Sequence, residues 1–490
     1  MLIGSGASVS PCLFAARHTT DETVTNTNTR RHQTKHHYKP ASEVVAADLI
    51  YNGNQMRITR KIIEHCITTS IAFTNNNNMC SKPSLRGVIF DMDGTLTMPN
   101  LDFAEMYRRC GVSRTQDILE VVSFMDPSEA GRCNAIIEEM EEEGRRNLKL
   151  SHGALEFGRW LSSHSVPMAI VTRNKKRTVD SFVRSLWLEN GRASSSGVNN
   201  FSPIIARDSP VDVPFKPDST AAELIAKQWS VDLPTSDLVM VGDSPANDVL
   251  FGKNAGIATA LLDTHGRCTA DGSGSSPPVE ADYVIEYLWQ LPRMLFSNFN
   301  IDGPFGTGMP LKKYPAPEAT NSAAVASITG DLQTLSSLSK EEITSIDDSG
   351  NTLLIWASDA GQTKAVELIM SKLLEHECVD AHINVRGYLG ATALCRASRR
   401  GHIQILEVLL QQGEADPDIA NDKLQYPLHF AAFKKHHNAV STLLKYGANT
   451  LVLDRKGRTP AEDTSDEQIR ETIVRRRETQ LKQFTADVPP

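Results

Sequence analysis

The sequence predicts two architectures in one chain: an α/β domain on a largely parallel sheet with a small helical insert, then an all-α array of short repeats. Three observations carry this. From about residue 85 to 296, short apolar runs alternate with amphipathic stretches, which is how a parallel sheet with crossover helices reads. Beyond residue 320 the sequence resembles itself at a period near 33 residues. Between the two lies "SNFNIDGPFGTGMPLKKYPAPEAT" at 297–320, rich in Pro and Gly as a linker is. At 490 residues the chain exceeds one ordinary core.

The expected strands are "GVIF" (87–90), "PMAIVT" (167–172), "FSPIIA" (201–206), "LVMVG" (238–242) and "ATALL" (258–262). Between the first two, residues about 97–155 hold "LDFAEMYRRC", "TQDILEVVSFM" and "CNAIIEEMEEEGRR", a mostly helical insert whose size suits a cap over a site. The glutamates at 138, 139, 141, 142 and 143 read as a solvated helix face rather than a metal site. Arg108, Arg109, Arg145 and Arg146 could read an anionic group on a substrate, but solvated arginines are the commoner case, and they are left out of the expected site.

The segments 350–370, 390–410 and 424–444 align, and "GRTPAEDTSDEQIRETI" (457–473) begins a further copy, the starts being 40, 34 and 33 residues apart. Thr352 and Thr392 at the turn, "PLH" at 427–429, "GH" at 401–402 and "YGAN" at 446–449 resemble ankyrin repeats. An insertion, "SKLLEHECVDAH" (371–382), lengthens the first aligned repeat, and "AAVASITGDLQTLSSL" (323–338) reads as a degenerate capping repeat. The ankyrin domain is expected over 321–485. The resemblance implies a protein partner, with His402 and His429 stabilising turns, and Trp356, Tyr388 and Phe433 packing or facing that partner.

Residues 1–84, rich in Thr, Asn and His, show little apolar periodicity and read as disordered. His32, His36 and His37 belong to that polar tail. The five arginines there, set against five acids, also fit a transit peptide to a plastid or mitochondrion, and Met79 is an alternative start. The eight cysteines form no CxxC and no regular framework, as expected of reduced thiols in a cytoplasmic protein without structural zinc. A formal charge of -8 and a pI near 6.0 give no footprint for nucleic acid. No apolar run reaches the roughly 18–20 residues of a membrane helix, so no membrane span is expected.

The chemistry is concentrated where strands end. "DMDGTLT" puts Asp91 and Asp93 on one side of an extended strand end. Like charges so close repel unless a cation intervenes. "VTRN" supplies Thr172 and Asn174, "FKPD" supplies Lys216, and "GDSPAND" supplies Asp243 and Asp248. Phosphoryl transfer needs a nucleophile, a proton carrier and positive charge on the phosphoryl oxygens, and this set contains all three.

These four motifs, in this order over about 210 residues, resemble the haloacid dehalogenase (HAD) superfamily. The resemblance implies a Rossmann-like core with a small helical cap, closest in pattern to phosphoglycolate-phosphatase-like members. It implies Asp91 as nucleophile and Asp93 as acid and base. Thr172 would donate to a phosphoryl oxygen, and Lys216 would neutralise Asp91 and the phosphoryl group. Gly94, Thr95 and Asn174 would contact substrate. Mg²⁺ would be held by Asp91, the Asp93 backbone carbonyl and Asp243, and Asp248 would orient Lys216 or a metal-bound water. Read alone, Asp248 could equally start a helix. Dehalogenases lack the second aspartate of the first motif, and transporting ATPases need membrane helices. The expectation is therefore an Mg²⁺-dependent phosphatase of a small phosphorylated metabolite. The alternatives are a sugar-phosphate mutase, or an ankyrin interaction protein with an idle core.

Overall fold

A sheet of six parallel strands carries the N-terminal half, in the order β3-β2-β1-β4-β5-β6. The strands are β1 (Gly87–Phe90), β2 (Met168–Val171), β3 (Ile204–Ile205), β4 (Leu238–Gly242), β5 (Ala258–Leu262) and β6 (Tyr283–Ile285). The computed structural model describes residues 82–189, 200–210, 213–264, 280–303, 317–319 and 321–486. The expectations for residues 1–81 (disorder, a transit peptide, a start at Met79, the histidine cluster) lie outside the described residues.

β1 sits at the centre, paired with β2 (Val88↔Met168) and with β4 (Val88↔Val239). Alternate side chains point to opposite faces of a strand, and here both faces are covered. Val88, Phe90, Ile170 and Val241 meet Phe157, Trp160 and Trp187 on one side, while Ile89, Ala169 and Met240 meet Ile225 and Phe251 on the other. Burial on both faces is why these strands read as unbroken apolar runs. β6 was not anticipated: "YVI" is too short to show a period, and it is recruited by pairing with β5 at the edge (Ala260↔Tyr283).

The insert forms the helices Phe103–Cys110, Ile118–Ser123 and Pro127–Arg146, each with an aspartate at its N-cap (Asp102, Asp117, Asp126) accepting from backbone N–H groups of the first turn. They close a small core of Met106, Cys110, Ile118, Val122, Cys133 and Ile137. The solvated reading of the glutamate run needs correction at Glu141, while Glu138, Glu139 and Glu143 are exposed as expected. Glu141 is buried and takes two hydrogen bonds from Arg207, at 2.7 and 2.9 Å. Glu138, one turn earlier, pairs with Arg177 at 3.0 Å. Residues three apart share a helix face, and that face meets the helix Lys176–Ser181 that follows β2 and the loop that follows β3. The cap arginines have intra-cap partners: Arg108 with Glu105, Arg109 with Glu139, and Arg145 and Arg146 with Glu142.

The C-terminal half is a helical ankyrin array of stacked helix pairs, from Ser322–Thr329 with Leu332–Ser337 to Pro460–Asp463 with Glu467–Ala486. Thr352 and Thr392 cap their helices through the N–H of Ile355 and Cys395, each at 3.2 Å. The insertion extends one helix to Thr363–Glu375 and adds Val379–His382. Buried His429 bonds the Arg458 carbonyl at 2.9 Å, tying one repeat to the next. Trp356 is largely buried and donates to Asp347 at 2.8 Å, whereas Phe433 is 56% exposed.

The array also packs onto the sheet domain, and the two form one unit. Leu453 is buried within the larger of the two sheet cores. His164, at the end of helix Ala154–Ser163, meets the Arg455 carbonyl at 3.0 Å, and Asn449 donates to Glu156 at 2.6 Å. Gly457, at φ +70°, lies so close to Pro292 that a Cβ there would sit 2.4 Å from its carbonyl carbon. The Arg477 guanidinium lies 5.4 Å from the Trp289 ring centroid. Phe299 and Ile301, which a boundary at 296 would leave in the linker, are buried in the sheet domain. At the other end, Ser84 bridges to Asn300.

Candidate active site

In an open α/β sheet the carboxyl ends of neighbouring strands meet in a crevice where the connections diverge. β1, β2 and β4 are those strands here, and they deliver Asp91 with Asp93, Thr172 with Asn174, and Asp243. Lys216 arrives on a loop and Asp248 from the π-helical turn Pro245–Val249, a departure from α-geometry common at functional sites.

Lys216 is the buried hub. Its Nζ lies 2.8 Å from Asp91 Oδ1 and 2.6 Å from Asp248 Oδ1. Asp248 Oδ2 accepts from the Ser244 N–H at 3.0 Å, and the helix cap is Ser244 rather than Asp248. Both Asp248 oxygens are thus engaged, one by the Lys216 ammonium and one by the Ser244 N–H. Asp93 turns to the opposite side, accepting from Asn174 Nδ2 at 2.8 Å and from the Thr97 hydroxyl at 3.2 Å. Thr172 Oγ1 accepts from the backbone N–H and the side-chain amide of Asn174, both at 3.2 Å. Those bonds use its lone pairs, so its own O–H can donate to a ligand. The Thr95 hydroxyl is fully buried and has no hydrogen-bond partner among the described residues.

Gly94 adopts φ +73°, and a Cβ there would fall 2.2 Å from Asp243 Oδ2. Glycine is therefore needed twice, for the left-handed turn and for the approach of Asp243. One oxygen each from Asp91, Asp243 and Asp248 lies within 4.8 Å of the others.

Burial and then the charges of Asp91 and Asp248 push Asp243 up to about 7. Asp93 is pushed up to about 6 chiefly by burial, with Asp91 adding to the shift and the bonds from Asn174 and Thr97 opposing it. Asp248 also rises to about 6 through burial, against the pull of Lys216. Burial works against the Lys216 ammonium, but Asp248 and Asp91 outweigh it and hold its pKa above the usual lysine value. A single ammonium thus faces more carboxylate charge than it can neutralise. An all-oxygen donor set with excess negative charge fits Mg²⁺, with Asp91 and Asp243 the side chains left to hold it. The expected carbonyl ligand from Asp93 is a backbone atom, and the Asp93 carboxylate stands outside the acidic trio.

Comparison with known proteins agrees with this geometry. A haloacid dehalogenase-like hydrolase domain-containing protein of Arabidopsis thaliana is 31% identical over 233 residues, 45% of this chain and 88% of that relative. The chain belongs to the haloacid dehalogenase-like hydrolase family. An uncharacterized hydrolase of Saccharomyces cerevisiae is 29% identical to this hydrolase over 185 residues, 37% of the chain and 78% of the relative. The HAD-hydrolase-like family model matches residues 215–291. The ankyrin repeat model matches 322–421 and 369–454, and an ankyrin repeat protein of Fowlpox virus is 39% identical over 66 residues, 13% of this chain and 9% of the viral one. No helix among the described residues is long and apolar enough to cross a membrane.

Two sets of contacts at the hydrolase site were not anticipated. Thr97 supports Asp93, and nothing in its sequence context marks it. Arg173, next to Thr172, forms an ion pair with Asp117 of the cap and lies over the Phe215 ring, 5.7 Å from its centroid. Its adjacency to a site residue was the available signal.

Proposed function

We propose that the hydrolase acts as an Mg²⁺-dependent phosphatase on a small phosphorylated metabolite, through an aspartyl-phosphate. The observation that carries this reading is Lys216 held between Asp91 and Asp248. That contact sets one ammonium against the Asp91 carboxylate, beside whatever Asp91 attacks. An Asp91 oxygen forms a bond to phosphorus while the bond from phosphorus to the leaving oxygen breaks. Asp93, whose pKa burial raises to about 6 so that a protonated fraction persists toward neutral pH, gives its proton to that oxygen. Water then attacks the phosphorus of the acyl phosphate, Asp93 takes the water proton, and phosphate departs with Asp91 regenerated. Thr172 and Thr95 donate to the phosphoryl oxygens, and Asn174, its amide spent on Asp93 and Thr172, positions those two side chains beside the substrate. Bound between Asp91 and Asp243, Mg²⁺ would supply charge neutralisation for the phosphoryl group.

The ankyrin array is read as the site for a protein partner. The test is phosphate release from p-nitrophenyl phosphate by the full chain with Mg²⁺ or with EDTA. Release that needs Mg²⁺ and disappears in Asp91→Asn is the expected result. No release by the wild type, or equal release by Asp91→Asn, overturns the reading.

A further inference from the structure

We propose that the inner-helix face of the central ankyrin repeats is a docking surface for an acidic protein segment carrying one large apolar side chain. This rests on the reading of the array as a protein-binding module and names the chemistry of what it binds.

The face is built from the helices Ala393–Arg400 and Pro427–Phe433, which pack side by side as the first helices of successive repeats. In the 34-residue register between these repeats, Arg396 corresponds to Phe430, Arg399 to Phe433 and Arg400 to Lys434. Positions i, i+3 and i+4 share one side of a helix, so cationic and aromatic side chains alternate across one continuous surface. Phe433 is 56% exposed, and the Lys434 ammonium lies 5.6 Å from its ring centroid. An exposed phenylalanine with an ammonium over its ring is an apolar contact point on a basic helix face.

The charge on this face is unbalanced. Arg400 is paired with Asp359 of the preceding repeat, both contacts at 3.2 Å. Arg399, Lys434 and Lys435 are exposed and have no carboxylate partner among the described residues. Of the two outer helices, Ile403–Gln411 carries a single charge, Glu407, and His437–Lys445 a single lysine, Lys445, so the basic excess is concentrated on the inner side. It also stands against a chain of formal charge -8. The excess is therefore local, which suits a short acidic segment more than an extended polyanion or a membrane surface, whose capture scales with total basic charge. Exposed Phe433 adds an apolar contact, the side-chain type that supplies hot spots at protein interfaces.

The experiment selects a phage-displayed random peptide library on the immobilised full chain, then measures the enriched peptides against Arg399→Glu/Lys434→Glu. Enrichment of acidic peptides with a large apolar residue is expected. Their affinity should fall about tenfold or more in the double variant and weaken as salt rises. The thermal unfolding of the variant should match the wild type, because both side chains are exposed. If the charge reversal proves unstable, Arg399→Ala/Lys434→Ala replaces it, and Phe433→Ala should weaken binding while leaving the salt dependence in place. Peptides without acidic bias, or acidic peptides that bind the variants equally well, overturn the proposal and leave the array a protein-binding module through another face. No enrichment at all, or capture of anionic vesicles or an RNA oligonucleotide in place of peptides, overturns both it and the protein-binding reading. None of these outcomes depends on phosphate release, so the phosphatase reading stands or falls separately.

Discussion

The amino group of Lys216 lies 2.8 Å from the carboxylate of Asp91, in a pocket where the lysine side chain is 2% exposed. A buried ammonium with carboxylate partners is strongly destabilising to break, because removing one side leaves charge unpaired, at about 3–5 kcal/mol. Lys216→Met is therefore expected to lower the unfolding temperature at neutral pH. It should also reduce phosphate release by about 100- to 1000-fold, the range for losing one donor to a developing anion. Calorimetry together with the p-nitrophenyl phosphate assay checks both effects, and a Lys216→Met protein with wild-type turnover would contradict the role given to Lys216.

Gly94→Ala adds one methyl group where Asp243 Oδ2 would stand 2.2 Å away. Asp243 must move, and the left-handed turn costs about 1 kcal/mol for alanine. The expectation is weaker Mg²⁺ binding by titration calorimetry and at least about tenfold less phosphate release, with the fold intact by circular dichroism. Unchanged Mg²⁺ affinity would remove Asp243 from the metal site.

Leu453 belongs to the ankyrin array by sequence and to the sheet core by packing. Truncating a buried leucine costs about 2–5 kcal/mol, and here the loss falls on both halves. Leu453→Ala is expected to lower the temperature at which hydrolase activity disappears and the temperature at which helicity melts, together. A tethered, independent array would instead leave the inactivation temperature where it was.

Asp418, partly buried beside Asp416 and Glu156 near the packing of the last repeats onto the hydrolase, is pushed from 3.8 up to about 7 by burial first and those acids second, against the Asn449 N–H it accepts from. The folded state therefore holds a proton between pH 4 and 7 that the unfolded chain releases, and stability falls across that window as pH rises. Asp418→Asn keeps the acceptor and removes the charge. It is expected to stabilise the protein at pH 8 by on the order of 2 kcal/mol, with the gain shrinking at pH 5. A gain independent of pH in thermal unfolding would exclude the titration of Asp418 as its cause.

Much of this protein is legible along the chain because its signals are local. The strands β1, β2, β4 and β5 are apolar runs bounded by turns, and the ankyrin repeats announce themselves by period. Asp91, Asp93, Thr172, Lys216 and Asp243 are readable because each sits at or just beyond a strand end, or in a short motif in fixed order. What was illegible depends on neighbours distant in sequence. Glu141 looks like one of several solvated glutamates until Arg207, 66 residues away, meets it. β6 exists because β5 offers an open edge.

The sequence by itself therefore determined the two architectures and the residues that could perform phosphoryl chemistry, since strand burial, repeat period and motif order are properties of contiguous residues. Only the tertiary structure decided that Asp91 and Asp248 share Lys216, that the Ser244 N–H holds the other Asp248 oxygen, and that Gly94 makes room for Asp243. It alone joined the last repeat to the helices Ala154–Ser163 and Leu291–Asn298. The physical reason is common to all four: burial and charge pairing depend on distance in space, and only folding sets those distances.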